Sequence, residues 1–124
     1  MDWTELELFN GIDLNDSFVL GWQTEDQRLS FDLELSIWPA SEYYTSPKDG
    51  EYTCYRRAVL VFDQIERYRG LLSMDEAPRS TDASGEIDYG NIDRLVVRGN
   101  QYIVEGDFGR VEVQGGGLRL EFNT

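Results

Sequence analysis

Histidine is absent from the 124 residues, and cysteine and lysine occur once each, as Cys54 and Lys48. Without histidine the chain lacks the usual general base at neutral pH, the serine and cysteine triads built on it, and most transition-metal sites. A lone thiol forms no internal disulfide and no zinc pair, and because Cys54 sits in an apolar run it is expected to be a small buried hydrophobe. No apolar stretch approaches the roughly 20 residues of a membrane span, and the acidic start Met1-Asp2-Trp3-Thr4-Glu5 does not resemble a secretory signal. A cytoplasmic protein, not an enzyme and without cofactors, is expected.

Charge of one sign is also scarce: 11 basic residues face 24 acidic ones, for a net charge of -13. The acids are scattered, which favours solubility and disfavours phosphate backbones and anionic lipid. Neither nucleic acid nor membrane is expected as a partner, whereas a basic protein is electrostatically favoured. An apolar fraction of 40 % with six Phe, seven Tyr and three Trp exceeds what a disordered acidic chain carries, and the length suits a single domain over residues 1–124.

Period-two patterning dominates. Leu29, Phe31, Leu33, Leu35 and Ile37 alternate without exception with Ser30, Asp32, Glu34 and Ser36, so one face of this strand is dry and the other wet. Residues 17–22 read as a strand with Phe18, Leu20 and Trp22 on one side and Val19 on the other, and residues 5–9 as a short strand or a short helix. The run Ala58-Val59-Leu60-Val61-Phe62 suggests a strand over 53–62 buried on both faces in its second half, and a further strand begins near Ile65 and Tyr68. Residues 40–52 and 75–91 read as long loops, with 75–85 a mobile stretch. Four short β-rich runs at 92–98, 101–105, 110–114 and 118–122, joined through glycine turns, read as a C-terminal antiparallel meander. No long amphipathic helix, repeat or domain boundary is visible. The expected fold is all-β: an antiparallel sandwich or partly open barrel of about eight or nine strands.

Three polar or aromatic groupings stand out. Asp82, Ser84, Glu86, Asp88 and Asp93 could offer oxygen ligands to a hard cation such as Ca²⁺, but the glycine and acid positions do not match an EF-hand loop, and a solvated turn with local side-chain hydrogen bonds explains them. Tyr43, Tyr44 and Tyr52 gather aromatic surface in an otherwise polar loop, where they either fold back over the core or form a binding patch, and Trp38, at the end of the preceding strand, would line a cleft with them. Arg56, Arg57, Arg67 and Arg69 lie on two segments expected to pair, where they would either match internal carboxylates or frame an anion pocket. The triplet Asp107-Phe108-Gly109 is explained by a turn, and chance carboxylate pairs carry no information in a chain this acidic.

The segments Asp13-Leu14-Asn15-Asp16-Ser17-Phe18-Val19-Leu20, Cys54-Tyr55-Arg56-Arg57 and Ser84-Gly85-Glu86-Ile87-Asp88-Tyr89-Gly90-Asn91-Ile92-Asp93 resemble a family of small uncharacterised bacterial proteins. In size, acidity and β content such proteins are similar to the immunity proteins of bacterial toxin systems. The resemblance carries over no catalytic residue, and the acidic surface with its Trp and Tyr anchors leads to the expectation of a non-catalytic module that binds another protein. The alternative expectation is a small-ligand or carbohydrate-binding β domain with a cleft lined by the loop aromatics.

Overall fold

The structure, a computed structural model, describes residues 1–46 and 54–122. Ten strands occur among them: β1 (Ile12–Glu25), β2 (Arg28–Ile37), β3 (Cys54–Asp63), β4 (Arg67–Leu71), β5 (Ser80–Thr81), β6 (Ile87–Asp88), β7 (Ile92–Arg98), β8 (Gln101–Gly106), β9 (Gly109–Gln114) and β10 (Gly117–Phe122). They form one four-stranded sheet ordered β1-β2-β3-β10, a second ordered β4-β9-β8-β7, and the two-stranded β5-β6 ribbon. All pairings are antiparallel and no sheet closes into a barrel. The chain is all-β, and no helix among the described residues is long and apolar enough to cross a membrane.

Alternation decides which side of each sheet is dry. Leu29, Phe31, Leu33, Leu35 and Ile37 of β2 are all essentially inaccessible, and they pair in register with Phe62, Leu60, Ala58, Arg56 and Cys54 of β3. In the second sheet, Leu95, Val104 and Val111 form a fully buried row across β7, β8 and β9. Side chains from both sheets belong to one hydrophobic cluster. Its centre is aromatic: Trp22 lies 5.0 Å from Tyr89 and 5.9 Å from Phe108 between ring centroids, while Phe31 lies 4.8 Å from Phe108 and Phe62 5.4 Å from Tyr102. The edge-on and tilted geometries suit the ring quadrupoles, and the Trp22 indole N–H donates to the Leu72 carbonyl at 3.0 Å, so the largest ring is buried without an orphaned donor.

Several expectations are corrected. The stretch at residues 5–9 forms neither a strand nor an α-helix. Two 3-10 turns, Trp3–Glu5 and Glu7–Phe9, occupy it: Asp2 and Glu5 make a reciprocal capping box on the first, and the second is closed by backbone bonds from Phe9 N–H to the Leu6 carbonyl and from Asn10 N–H to the Glu7 carbonyl. In β1 the apolar phase is opposite to the simple alternation: Ser17, Val19 and Trp22 are buried while Phe18 and Leu20 are half-buried. Two irregularities cause this, one between Asp13 and Phe18 and one between Val19 and Gly21, since each extra residue turns the following side chains to the other face.

The meander is also shorter than expected. Strands β7, β8 and β9 pair in sequence, but β10 leaves them and pairs with β3, and the free side of β9 takes β4 instead. Gly115 and Gly116 turn the chain out of the second sheet with φ of 78° and 77°, a left-handed pair that only glycine adopts without strain. A Cβ on Gly116 would stand 2.2 Å from the Asp63 carbonyl oxygen, which shows how closely the turn passes the end of β3. Residues 75–91, read as a long loop, carry the β5-β6 ribbon and bury Ala77 and Tyr89.

Candidate functional site

The aromatic loop lies beside the end of the first sheet. Trp38 is exposed (45 %), and its carbonyl accepts from Ser41 N–H at 2.9 Å. Tyr43 is also exposed, yet one of its ring faces is covered: it stacks on Phe122 with centroids 3.9 Å apart and planes 15° from parallel. Tyr44 is half-buried against the hydrophobic cluster. Tyr52 lies outside the described residues. The structure therefore separates the three described rings, one turned to solvent, one stacked, and one folded onto the core.

Tyr43 and Phe122 form one wall of a groove of ≈ 420 Å³ between the N-terminal 3-10 turns, residues 40–43 and β10. Leu8, Leu120 and Ile12 supply further apolar lining, while Glu7 and Glu42 are its charged members; no basic side chain lines it among the described residues. Trp38 and Tyr44 are not lining residues of this groove. Sequence reasoning missed Phe122, Leu8 and Leu120 as participants because each reads as an ordinary core position. Phe122 and Leu120 reach the groove because β10 crosses to the first sheet, which no local pattern announces, and Leu8 comes from the second 3-10 turn.

The four arginines singled out from the sequence do not share a pocket. Their two segments do not pair: β3 lies between β2 and β10, and β4 lies on β9. Arg56 and Arg57 are neighbours on one strand and so face opposite ways; the Arg56 guanidinium donates to the Tyr43 carbonyl at 3.4 Å, and Arg57 pairs with Glu86. Arg69 pairs with Glu112, and Arg67 has no acidic partner within 4.0 Å among the described residues.

The acidic stretch is organised as turns. The Asp82 carboxylate accepts from Ser84 N–H at 2.9 Å, Ser84 Oγ–H at 2.6 Å and Glu86 N–H at 2.9 Å. The Ser84 hydroxyl, followed by the Glu86 amide, holds the Asp82 carboxyl below the usual carboxylate range. Asp88 accepts from Gly90 N–H at 2.9 Å, Glu86 is engaged with Arg57, and Asp93 is exposed on β7. Among the described residues no group of three Asp, Glu, Cys or His side chains is placed to hold a metal ion. Cys54 is buried (2 %), with its sulfur 3.4 Å from the Thr45 amide nitrogen.

A further charge cluster sits at the end of β3. Asp63, at the end of β3, receives Arg119 and lies 3.6 Å from Arg28, and the Arg119 hydrogen bond is the main cause of its lowered pKa. Comparison with protein-family models, with curated proteins and with solved structures finds no match to this chain.

Proposed function

We propose that this chain is a non-catalytic protein-binding module acting in the cytoplasm, a single-domain β-sandwich of the immunity-protein kind, and that its groove beside Tyr43 and Phe122 receives a basic partner. The groove carries this reading. Its lining is mostly polar, with Leu8, Leu120, Tyr43 and Phe122 as apolar and aromatic members; its only charged lining among the described residues is the pair Glu7 and Glu42, and Trp38 stands exposed in the adjoining segment. Aromatic anchors with an acidic rim are what a basic surface with a protruding apolar side chain would recognise, and the net charge of -13 would speed the encounter. The absence of histidine supports a binding role over acid–base catalysis at neutral pH.

The test compares the wild-type chain with a Glu42→Arg, Tyr43→Ala double variant in pull-downs from bacterial lysate at low and high salt. The reading expects a specific partner that the wild type retains at low salt and the double variant loses. Identical recovery by both chains, or no specific partner at either salt, counts against it.

A further inference from the structure

The strand register places a basic surface on this acidic chain. On β7, β8 and β9 the buried row Leu95, Val104 and Val111 defines the inner face, so the alternate residues point outward. Outward rows follow from the pairing. Arg98 faces Gln101, which faces Gln114, which faces Arg67 of β4; the next row runs Val96, Ile103, Glu112 and Arg69, with Ile103 buried; in the row after that Arg94 faces Glu105 and Glu105 faces Arg110. The outer face of the second sheet thus holds five arginines against two glutamates.

The two glutamates are already engaged. Glu105 lies between Arg94 at 3.5 Å and Arg110 at 3.3 Å, and Glu112 pairs with Arg69. Arg67 and Arg98, at the two ends of one row, have no acidic partner within 4.0 Å among the described residues. Between them lie only the neutral amides of Gln101 and Gln114. A depression of ≈ 330 Å³ opens at the Arg67 end of this row, lined by Arg67, Tyr68, Arg69, Gln101, Glu112 and Gln114; its one carboxylate, Glu112, is the partner of Arg69.

We propose that this face docks an extended acidic peptide segment of a partner protein, laid across the strands along the row from Arg67 to Arg98. Adjacent strands are about 4.8 Å apart, so the two outer strands of the row are separated by roughly 14 Å; an extended peptide rises about 3.3 Å per residue and puts every second side chain on one side. Carboxylates at positions i and i+4 therefore match the two free guanidinium groups; Gln114 already gives one amide N–H to Asn100 Oδ1 at 3.1 Å, which leaves its second N–H and the Gln101 amide to donate to the backbone between them. Arginine suits this role through its paired donors to a carboxylate.

Charge also selects among anions. Stacked sheets lie about 10 Å apart, beyond the screening length of about 8 Å at physiological salt, so acids on the opposite sheet act on a short ligand seated on this face less than the arginines it touches. A long nucleic acid would run past the basic face onto the acidic remainder of the surface, which disfavours it.

The experiment measures fluorescence anisotropy of a labelled hexaglutamate peptide with the full chain at about 0.15 M salt. Hexaserine and an oligothymidylate serve as competing probes. Binding of hexaglutamate but not hexaserine is expected, with affinity reduced about tenfold or more by Arg67→Gln with Arg98→Gln and unchanged by Arg28→Gln on the other sheet. Both targeted side chains lack ion pairs, and unaltered circular dichroism and melting temperature would confirm that the variant is folded. No hexaglutamate binding, equal binding of hexaserine, tighter binding of the oligothymidylate, or affinity insensitive to the double substitution would each overturn the proposal. So would self-association in sedimentation that the double substitution abolishes, which would make a second copy the occupant.

Discussion

Replacing Ser17 by alanine should destabilise the protein far more than a serine on a strand ordinarily allows. The hydroxyl is 1 % exposed at residue level and spans the irregularity in β1: it donates to the Asp13 carbonyl at 2.7 Å and accepts from the buried Ser36 N–H at 2.9 Å. There the ladder between β1 and β2 skips, and the side chain replaces the missing backbone partner. Next to it, Val19 N–H donates to the Gly90 carbonyl, Tyr89 N–H to the Val19 carbonyl, and the Asn91 amide to the Ser17 carbonyl, so the same bulge ties the first sheet to the segment leading into β7. An orphaned buried N–H costs about 1–3 kcal/mol, and the half-buried Asp13 carbonyl adds about 1 kcal/mol at most because water can reach it. Ser17→Ala should therefore lose about 2–3 kcal/mol in urea unfolding, or very roughly 6–15 °C in Tm for a chain of this size. Ser17→Thr keeps the oxygen and should recover most of that loss. A Ser17→Ala change within about 0.5 kcal/mol of wild type would refute the assignment of the hydroxyl as a substitute ladder partner.

Two glycines offer a paired test: Gly116→Ala combines a φ of 77° with a Cβ 2.2 Å from a backbone oxygen, whereas Gly99→Ala has a φ of 59° and open space around the new Cβ. The first should cost at least about 3 kcal/mol and the second about 1 kcal/mol in chemical unfolding, and equal losses would show that the close approach to β3 is not present. Trp22→Phe removes the hydrogen bond to Leu72 and part of the ring volume at the aromatic centre, and should lower stability by about 2 kcal/mol with tertiary near-ultraviolet dichroism retained. Acid should weaken the protein through Asp63, Asp82 and Asp2, whose pKa values are all lowered in the folded state. A depressed carboxyl contributes stability that is complete above its unfolded value near about 3.9 and is lost as pH falls through the folded value. Asp63→Asn should therefore melt below wild type at neutral pH, with the gap closing below about pH 4; a gap independent of pH would contradict the role given to Arg119.

Patterns that depend only on neighbours along the chain were readable without the structure. The dry face of β2, the hairpin turns around Gly99 and Gly106, the burial of Cys54 and the all-β character follow from side-chain alternation and from backbone conformations that glycine alone adopts easily. Local rules failed where a non-local partner supplied the missing hydrogen bonds. The phase of β1 depends on how many residues oppose β2 across its bulges, and Phe18 and Leu20 give no local sign of that count. The departure of β10 is signalled by Gly115-Gly116-Gly117, but its destination beside β3 is not. Candidate sites divide the same way. Trp38 and Tyr43 drew attention as aromatics in a polar loop, yet the groove required Phe122 and Leu120, which arrive on a strand from the other end of the chain. Arg67 and Arg69 were visible as a basic pair, but Arg94, Arg98 and Arg110 joined them only through antiparallel register. Sequence alone determined which faces were apolar and where the chain had to turn; tertiary structure decided which faces met and which charges shared a surface, because strand order and register are set by pairing between distant segments.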